Sequence, residues 1–143
     1  MRDAGQGRAR ELGDFLGAWA LAREIRHGDG SVARFEGRAE WSLTGDGALC
    51  LESGTLTLPE GTALQGERRY RWDHALNVYF DDGRFFHAVP AAGGTAVHDC
   101  PPDRYLARYD FARWPSWDCT WQVRGPRKDY VMTGRYRRLP GTP

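Results

Sequence analysis

The residues of this sequence best suited to chemistry are two histidines and a tyrosine on three neighbouring predicted strands. Pro101-Pro102 is interpreted as a two-residue turn, which pairs the flanking strands so that His98 faces Tyr105. A turn centred on Ala92-Gly93 places His87 opposite His98. Imidazole titrates near neutral pH and can move protons, and a phenol can stabilise developing negative charge. We therefore predict His87, His98 and Tyr105 as catalytic residues that point toward the protein interior.

Cys100 is predicted to lie beside the two histidines, since it faces Asp103 across the same turn. His87, His98 and Cys100 together are a set of ligand types that zinc can use, and a single histidine can bind haem. Cys100 can also act as a nucleophile if a histidine serves as its base. The simpler alternatives are hydrogen-bonded core histidines and a small packed cysteine. We predict no metal and no cofactor.

Further polar and aromatic side chains share the predicted inward faces of other strands. Arg23 and Arg68 are cations that interiors seldom hold without partners, so they predict a ligand with an anionic or carbonyl group. The alternative is that internal carboxylates neutralise them, and the predicted inward acids are only Glu52, Asp81 and Asp103. The predicted ligand-binding residues are Arg23, Arg68, Tyr70, Trp72, Cys100, Trp121 and Tyr130.

The elements that must position these residues are strands, because apolar and polar residues alternate along most of the chain. Residues 32–43 show the clearest alternation, and turns containing Gly or Pro separate about ten such segments. An open sheet of that many strands tends to curl, and closure removes its exposed edges. The sequence predicts an all-β protein, an up-and-down antiparallel β-barrel of about 8–10 strands. Leu12, Phe15 and Leu16 add a short N-terminal helix that Gly17 ends.

Length and composition limit the remaining possibilities. The chain has 143 residues, which predicts one domain over residues 12–139, between a flexible N-terminus of residues 1–11 and a tail of residues 140–143. Its 20 basic and 19 acidic residues give a net charge of +1, which argues against a nucleic-acid partner. No apolar run is long enough to cross a membrane, and we expect no membrane partner.

The cysteines and the N-terminal residues predict a cytoplasmic location. Cys50, Cys100 and Cys119 are odd in number and form no CxxC pair, as is usual for a reduced protein. The first twelve residues are charged and contain no apolar segment of the kind found in a secretory signal. The sequence is also compatible with a homodimer.

The segment Phe15-Leu16-Gly17-Ala18-Trp19, followed by Arg23 and Ile25, resembles the opening of lipocalin-like (calycin) barrels. In those barrels a short helix plugs one end, and Gly-x-Trp begins the first strand. An arginine of the last strand often packs on that tryptophan. The resemblance implies this role for Arg135, Arg137 or Arg138.

Four further runs resemble an uncharacterised bacterial family of short lipocalin-like domains. The runs are 69–72, 78–87, 98–105 and 125–130, and the likeness spans roughly residues 12–138. The resemblance implies the barrel fold and assigns no activity. Barrels of this kind elsewhere include carriers, haem proteins and cofactor-free enzymes.

Three functions are consistent with these observations. The first is binding of a small aromatic or amphipathic ligand in the barrel, with cofactor-independent acid/base catalysis by His87 or His98. Isomerase, cyclase or lyase chemistry would suit such a site. The second is a carrier or sensor that binds the same kind of molecule without changing it. The third is an interaction domain with a filled barrel. An internal cavity on the order of a few hundred Å³ would favour the first two over the third.

Overall fold

The computed structural model describes residues 8–140, which form one short helix and ten strands. The helix α1 (Leu12–Phe15) has four residues, and no helix within residues 8–140 has the length and apolar character needed to span a membrane. The strands are β1 (Gly17–His27), β2 (Val32–Leu43), β3 (Gly47–Thr57), β4 (Ala63–Asp73), β5 (Asn77–Phe80), β6 (Phe85–Ala88), β7 (Gly94–Cys100), β8 (Asp103–Asp110), β9 (Trp117–Gly125) and β10 (Lys128–Arg138).

The ten strands form one antiparallel sheet that is rolled into a nearly closed barrel. Their order is β6-β5-β4-β3-β2-β1-β10-β9-β8-β7, so the last strand pairs with the first. In that pairing Trp19 lies opposite Arg138 and His27 lies opposite Tyr130. The prediction of an all-β, up-and-down antiparallel barrel with a short N-terminal helix is confirmed.

The hairpin registers predicted for the last four strands are confirmed. Around Pro101-Pro102, whose peptide bond is cis, His98 pairs with Tyr105. Around the β9–β10 turn, Val123 pairs with Tyr130. A register of this kind decides which side chains face inward, since a slip of one residue reverses every side chain of the strand.

The register predicted between β6 and β7 is wrong. Within residues 8–140 the two strands share no ladder, and they lie at opposite ends of the sheet order. β6 pairs only with β5, where Val78 faces His87 but Tyr79 faces Phe85. Phe86 is therefore the extra residue of a β-bulge. We call the unpaired boundary between Phe85–Ala88 and Gly94–Cys100 the seam.

α1 and the strand ends beside it close one end of the barrel. Phe15 is fully buried, and its ring lies 5.1 Å from that of Trp72 and 5.5 Å from that of Trp117. Trp19 Nε1 donates a 2.8 Å hydrogen bond to the carbonyl of Phe15. Of the three arginines considered, Arg138 packs on Trp19, with its Cζ 3.9 Å from the ring centre.

Arg10, which lies in the predicted flexible N-terminus of residues 1–11, contacts the barrel. The backbone N–H of Arg10 donates to the carbonyl of Ala91 at 2.7 Å, and the buried guanidinium lies 4.6 Å over Trp114. This cation–π contact and the backbone bond hold the segment against the barrel. Residues 1–7 of the predicted flexible N-terminus, and residues 141–143 of the predicted tail, lie outside the described residues.

Candidate functional site

A cavity of ≈ 360 Å³ lies inside the barrel, between the plugged end and the opposite end. All ten strands contribute side chains to its wall. Every residue predicted for the site lines this cavity, and their functional roles stay predictions. These residues are Arg23, Arg68, Tyr70, Trp72, His87, His98, Cys100, Tyr105, Trp121 and Tyr130.

The cavity floor consists of Trp41, Tyr109, Trp117 and Tyr136, which lie near the plugged end. The rings of Trp117 and Tyr136 stack with centroids 3.8 Å apart, and the Tyr109 ring lies 6.2 Å from that of Trp117 at 24° between planes. The Nε1 atoms of Trp41 and Trp117 are buried and have no hydrogen-bond partner within the described chain. Two donors at the floor are therefore unused by the protein.

Arg23 and Glu52 form a buried ion pair in the cavity wall. Both terminal guanidinium nitrogens of Arg23 donate to the Glu52 carboxylate at 3.0 Å. Tyr136 Oη accepts a hydrogen bond from Arg23 at 3.2 Å and donates one to Glu52 at 3.3 Å. Burial by itself lowers the pKa of Arg23, but the nearby Glu52 carboxylate raises it. The net result is a pKa above the usual value for arginine. Arg23 is thus neutralised by Glu52, as in the ion-pair alternative raised from sequence, and its role in ligand binding stays a prediction.

His87 is buried and hydrogen-bonded to the floor. Its Nε2 lies 2.7 Å from Tyr109 Oη, whereas its Nδ1 has no partner within the described residues. Burial, with a smaller contribution from the charge of His98, lowers the pKa of His87 to about 3. The imidazole is therefore neutral at pH 7, so it can give or accept a hydrogen bond but holds no extra proton to donate.

A second group of polar side chains lies at the open end of the cavity, which we call the mouth. Lys128 Nζ donates to Tyr105 Oη at 2.9 Å and lies 3.2 Å from Asp103 Oδ2. The hydrogen bond to Tyr105, followed in size of effect by the one to Asp103, raises the pKa of Lys128. The rings of His98 and Tyr105 lie 5.5 Å apart, as their pairing in the β7–β8 hairpin predicts. Cys100 is exposed beside them.

The zinc alternative receives no support from this arrangement. The described residues contain no group of three or more His, Cys, Asp or Glu side chains that could hold a metal ion. His87 Nε2 is engaged by Tyr109, and Cys100 lies at the exposed mouth.

Several residues of the cavity wall were missed by the sequence reasoning. Trp41, Trp117 and Tyr136 lie in segments with the two-residue alternation that identifies inward faces, so a sequence signal for them existed. Phe86 had no such sequence signal. The two-residue period places it on the opposite face from His87, but the bulge turns both side chains toward the cavity. Lys128 lies outside the cavity wall, and only the folded β9–β10 hairpin brings its amine to Tyr105 at the mouth.

Solved structures with a similar fold share little sequence with this chain. An S-type phycobiliprotein lyase, CPES from Guillardia theta, has a TM-score of 0.59 at 8% identity, and the match covers 91% of each chain. A de novo designed fluorescence-activating β-barrel has a TM-score of 0.45 at 16% identity, over 97% of this chain and 100% of the design. The first of these likenesses shows a shared fold, while the TM-score of the second is too low to support a conclusion.

Comparison with curated proteins finds no match. One protein family matches nearly the whole barrel, from the buried Phe15 of α1 to Arg138 of β10. The matched segment, residues 15–138, includes every side chain that lines the cavity. The chain therefore belongs to the Family of unknown function (DUF6314).

Proposed function

We propose that this protein binds a small organic ligand inside the barrel, with an aromatic or amphipathic body and an acceptor oxygen. The observation that carries the proposal is a ≈ 360 Å³ cavity lined by aromatic rings, and beside its floor the buried indole N–H groups of Trp41 and Trp117 have no hydrogen-bond partner among the described residues. An indole nitrogen can only donate, so the group that satisfies it must be an acceptor. Leaving a buried donor unpaired costs roughly 1–3 kcal/mol, which a ligand whose acceptor oxygen reaches the indole edge would recover.

The charges around the cavity suggest how the ligand is oriented. Near the floor the Arg23 cation is neutralised by Glu52, so a neutral carbonyl suits that end better than a buried carboxylate. At the mouth Arg68 forms no ion pair with any described residue, although it lines the cavity. The ligand's carbonyl oxygen would therefore lie at the floor, and an anionic group would lie beside Arg68.

The decisive experiment is native mass spectrometry of the freshly purified protein, which would show a retained small molecule directly. In parallel, 8-anilino-1-naphthalenesulfonate is titrated while its fluorescence is recorded. The observed cavity predicts one saturable site per chain, and competition by the retained molecule. No retained molecule together with no saturable dye binding would contradict the proposal.

The floor donors are tested with Trp117→Phe, which removes the N–H and keeps a ring of similar shape. We expect at least about fivefold weaker binding of the retained carbonyl-bearing molecule, as for loss of one hydrogen bond of about 1 kcal/mol. Trp114→Phe is the matched control, because Trp114 packs against Phe15 and Arg10 outside the cavity wall. Equal effects of the two variants would argue against the floor donors.

A second candidate is cofactor-independent acid/base catalysis on the same ligand, of isomerase, cyclase or lyase type. The observation that favours it is the Lys128 ammonium 2.9 Å from Tyr105 Oη, which would stabilise negative charge on that oxygen during proton transfer. The His98 ring lies next to that of Tyr105 and would act as the proton acceptor. The neutral His87 would position the ligand through hydrogen bonds.

Catalysis is tested by incubating the retained molecule with the protein and following its mass and absorbance. Turnover that is lost in Tyr105→Phe and His98→Ala, with binding retained, would support this candidate. A ligand that stays chemically unchanged would indicate a carrier or sensor. The cavity itself argues against the third possibility, an interaction domain with a solid core.

A further inference from the structure

Phe86 is held between two parallel aromatic rings inside the cavity. Its ring stacks on Phe80 with centroids 4.4 Å apart and 19° between planes, and on Trp121 at 5.0 Å and 14°. No ring contact within the described residues joins Phe80 to Trp121, so the two rings lie on opposite faces of Phe86. The three rings form a stack in which Phe86 is the central member.

The edges of the Phe86 ring also contact aromatic side chains. His87 and His98 lie edge-on at 4.5 and 5.2 Å. A site with a parallel ring on each face and polar imidazole edges around it has the shape and chemistry of an aromatic-ring binding site. Phe86 itself fills this site in the free protein.

The Phe86 ring is closely packed, but its backbone is attached to the sheet more weakly than that of a regular strand residue. It is the extra residue of the bulge, so it takes no place in the β5–β6 ladder. Its strand, Phe85–Ala88, is four residues long and forms the edge of the sheet at the seam. Movement of the Phe86 side chain out of the stack would break no β6–β7 hydrogen bond, because none is formed within the described residues.

We propose that the space between Phe80 and Trp121 is a subsite for a planar aromatic ring of the ligand, and that Phe86 occupies it as an intramolecular competitor. The proposal rests on the proposed ligand-binding function and deepens it, since it assigns the ligand class as a planar aromatic carbonyl compound. The ligand's ring replaces that of Phe86 one for one, and its acceptor oxygen extends toward the floor.

The test compares Phe86→Ala with Phe85→Ala. Phe85 is the adjacent residue and is 53% exposed on the outer face, which makes it a matched control. Removing the competitor should tighten binding of 8-anilino-1-naphthalenesulfonate by about tenfold, the order expected for one or two ring stacks. Phe85→Ala should leave the dissociation constant within about twofold, as for a side chain outside the site.

Ring specificity is tested with laurate, an aliphatic anion that displaces the dye but cannot stack. Phe86→Ala should favour the naphthalene dye over laurate, and Trp121→Leu in the Phe86→Ala background should abolish the gain. Equal gains for both probes would mean a merely larger cavity and would overturn the proposal. Weaker dye binding by Phe86→Ala would also overturn it, because Phe86 would then be a wall that the ligand uses.

The same titrations separate this proposal from the proposed function. If the parent protein binds dye and Phe86→Ala brings no ring-selective gain, only the subsite proposal fails. If neither the parent nor the variant binds dye, and no molecule is retained on purification, the ligand-binding function fails as well. Circular dichroism and thermal unfolding confirm folding, and Phe86→Leu, which keeps apolar volume without stacking, should show a smaller gain in the same direction.

Discussion

Arg23 of β1 and Glu52 of β3 form a two-pronged ion pair across the barrel, with both N–O distances at 3.0 Å. The two residues lie on strands that are separated in the sheet by β2. Tyr136 of β10 joins them through its hydroxyl. Three strands are thus connected in the interior by one polar cluster, in which the charge of Arg23 is neutralised beside the cavity floor.

Breaking this pair should strongly destabilise the protein. Glu52→Gln leaves a buried arginine uncompensated, and we expect a loss of about 3–5 kcal/mol in the free energy of unfolding, measured with urea. Glu67→Gln is the matched control, because Glu67 pairs with Arg69 at 3.2 Å on the exposed surface. That variant should lose less than about 1 kcal/mol. Similar losses in both would show that the buried pair contributes nothing special.

His87 should make stability depend on pH in acid. The pKa of His87 is 6.5 when the side chain is exposed and about 3 in the folded barrel. Between these two pH values the imidazole is protonated in the unfolded chain and neutral in the native chain. The contribution of His87 is fully present above about pH 6.5 and is lost as the pH falls toward 3, with a slope of at most about 1.4 kcal/mol per pH unit. The measurement is urea unfolding at several pH values between 4 and 7. His87→Gln should flatten the curve relative to the parent, and parallel curves would refute the assignment.

Arg138 should matter far more for stability than its neighbour Arg137. Arg138 lies over Trp19 and donates to the carbonyls of Leu16 and Asp14, which end α1. Lysine cannot make both bonds and the stacking contact together, so Arg138→Lys should lower stability by about 1–3 kcal/mol. Arg137 points outward and is exposed, so Arg137→Lys should change the melting temperature little. Equal shifts in thermal unfolding would contradict this.

Gly37 should not tolerate a side chain. It pairs with Gly54 across β2 and β3, and a Cβ at Gly37 would lie 2.0 Å from the carbonyl oxygen of Ser53. Backbone must then move, and we expect Gly37→Ala to cost at least about 2 kcal/mol. Gly13→Ala is the control, since a Cβ added there in α1 would meet no described residue beyond its own helix and chain neighbours within 4 Å, and alanine is the better helix former. An unaltered urea midpoint for Gly37→Ala would disprove the close approach.

Much of the fold and of the cavity wall follows from short-range patterns in the sequence. The period of two identifies the strands, and it also identifies which residues face inward. For that reason alternation predicts Arg68, Tyr70 and Trp121 on the cavity-lining faces of their strands, where the structure has them. Short turns decide the register of adjacent strands, which is why the pairing of His98 with Tyr105 is also predicted correctly.

What the sequence by itself determined is therefore local: strand positions, inward faces and the registers of tight hairpins. The tertiary structure alone decided that Arg23 is neutralised by Glu52, that β6 and β7 meet without a ladder, and that Phe86 turns inward at a bulge. The physical reason is that these features depend on how ten strands tilt and stagger when the sheet closes. Such long-range geometry brings together residues far apart in the chain, and alternation along one strand carries no information about it.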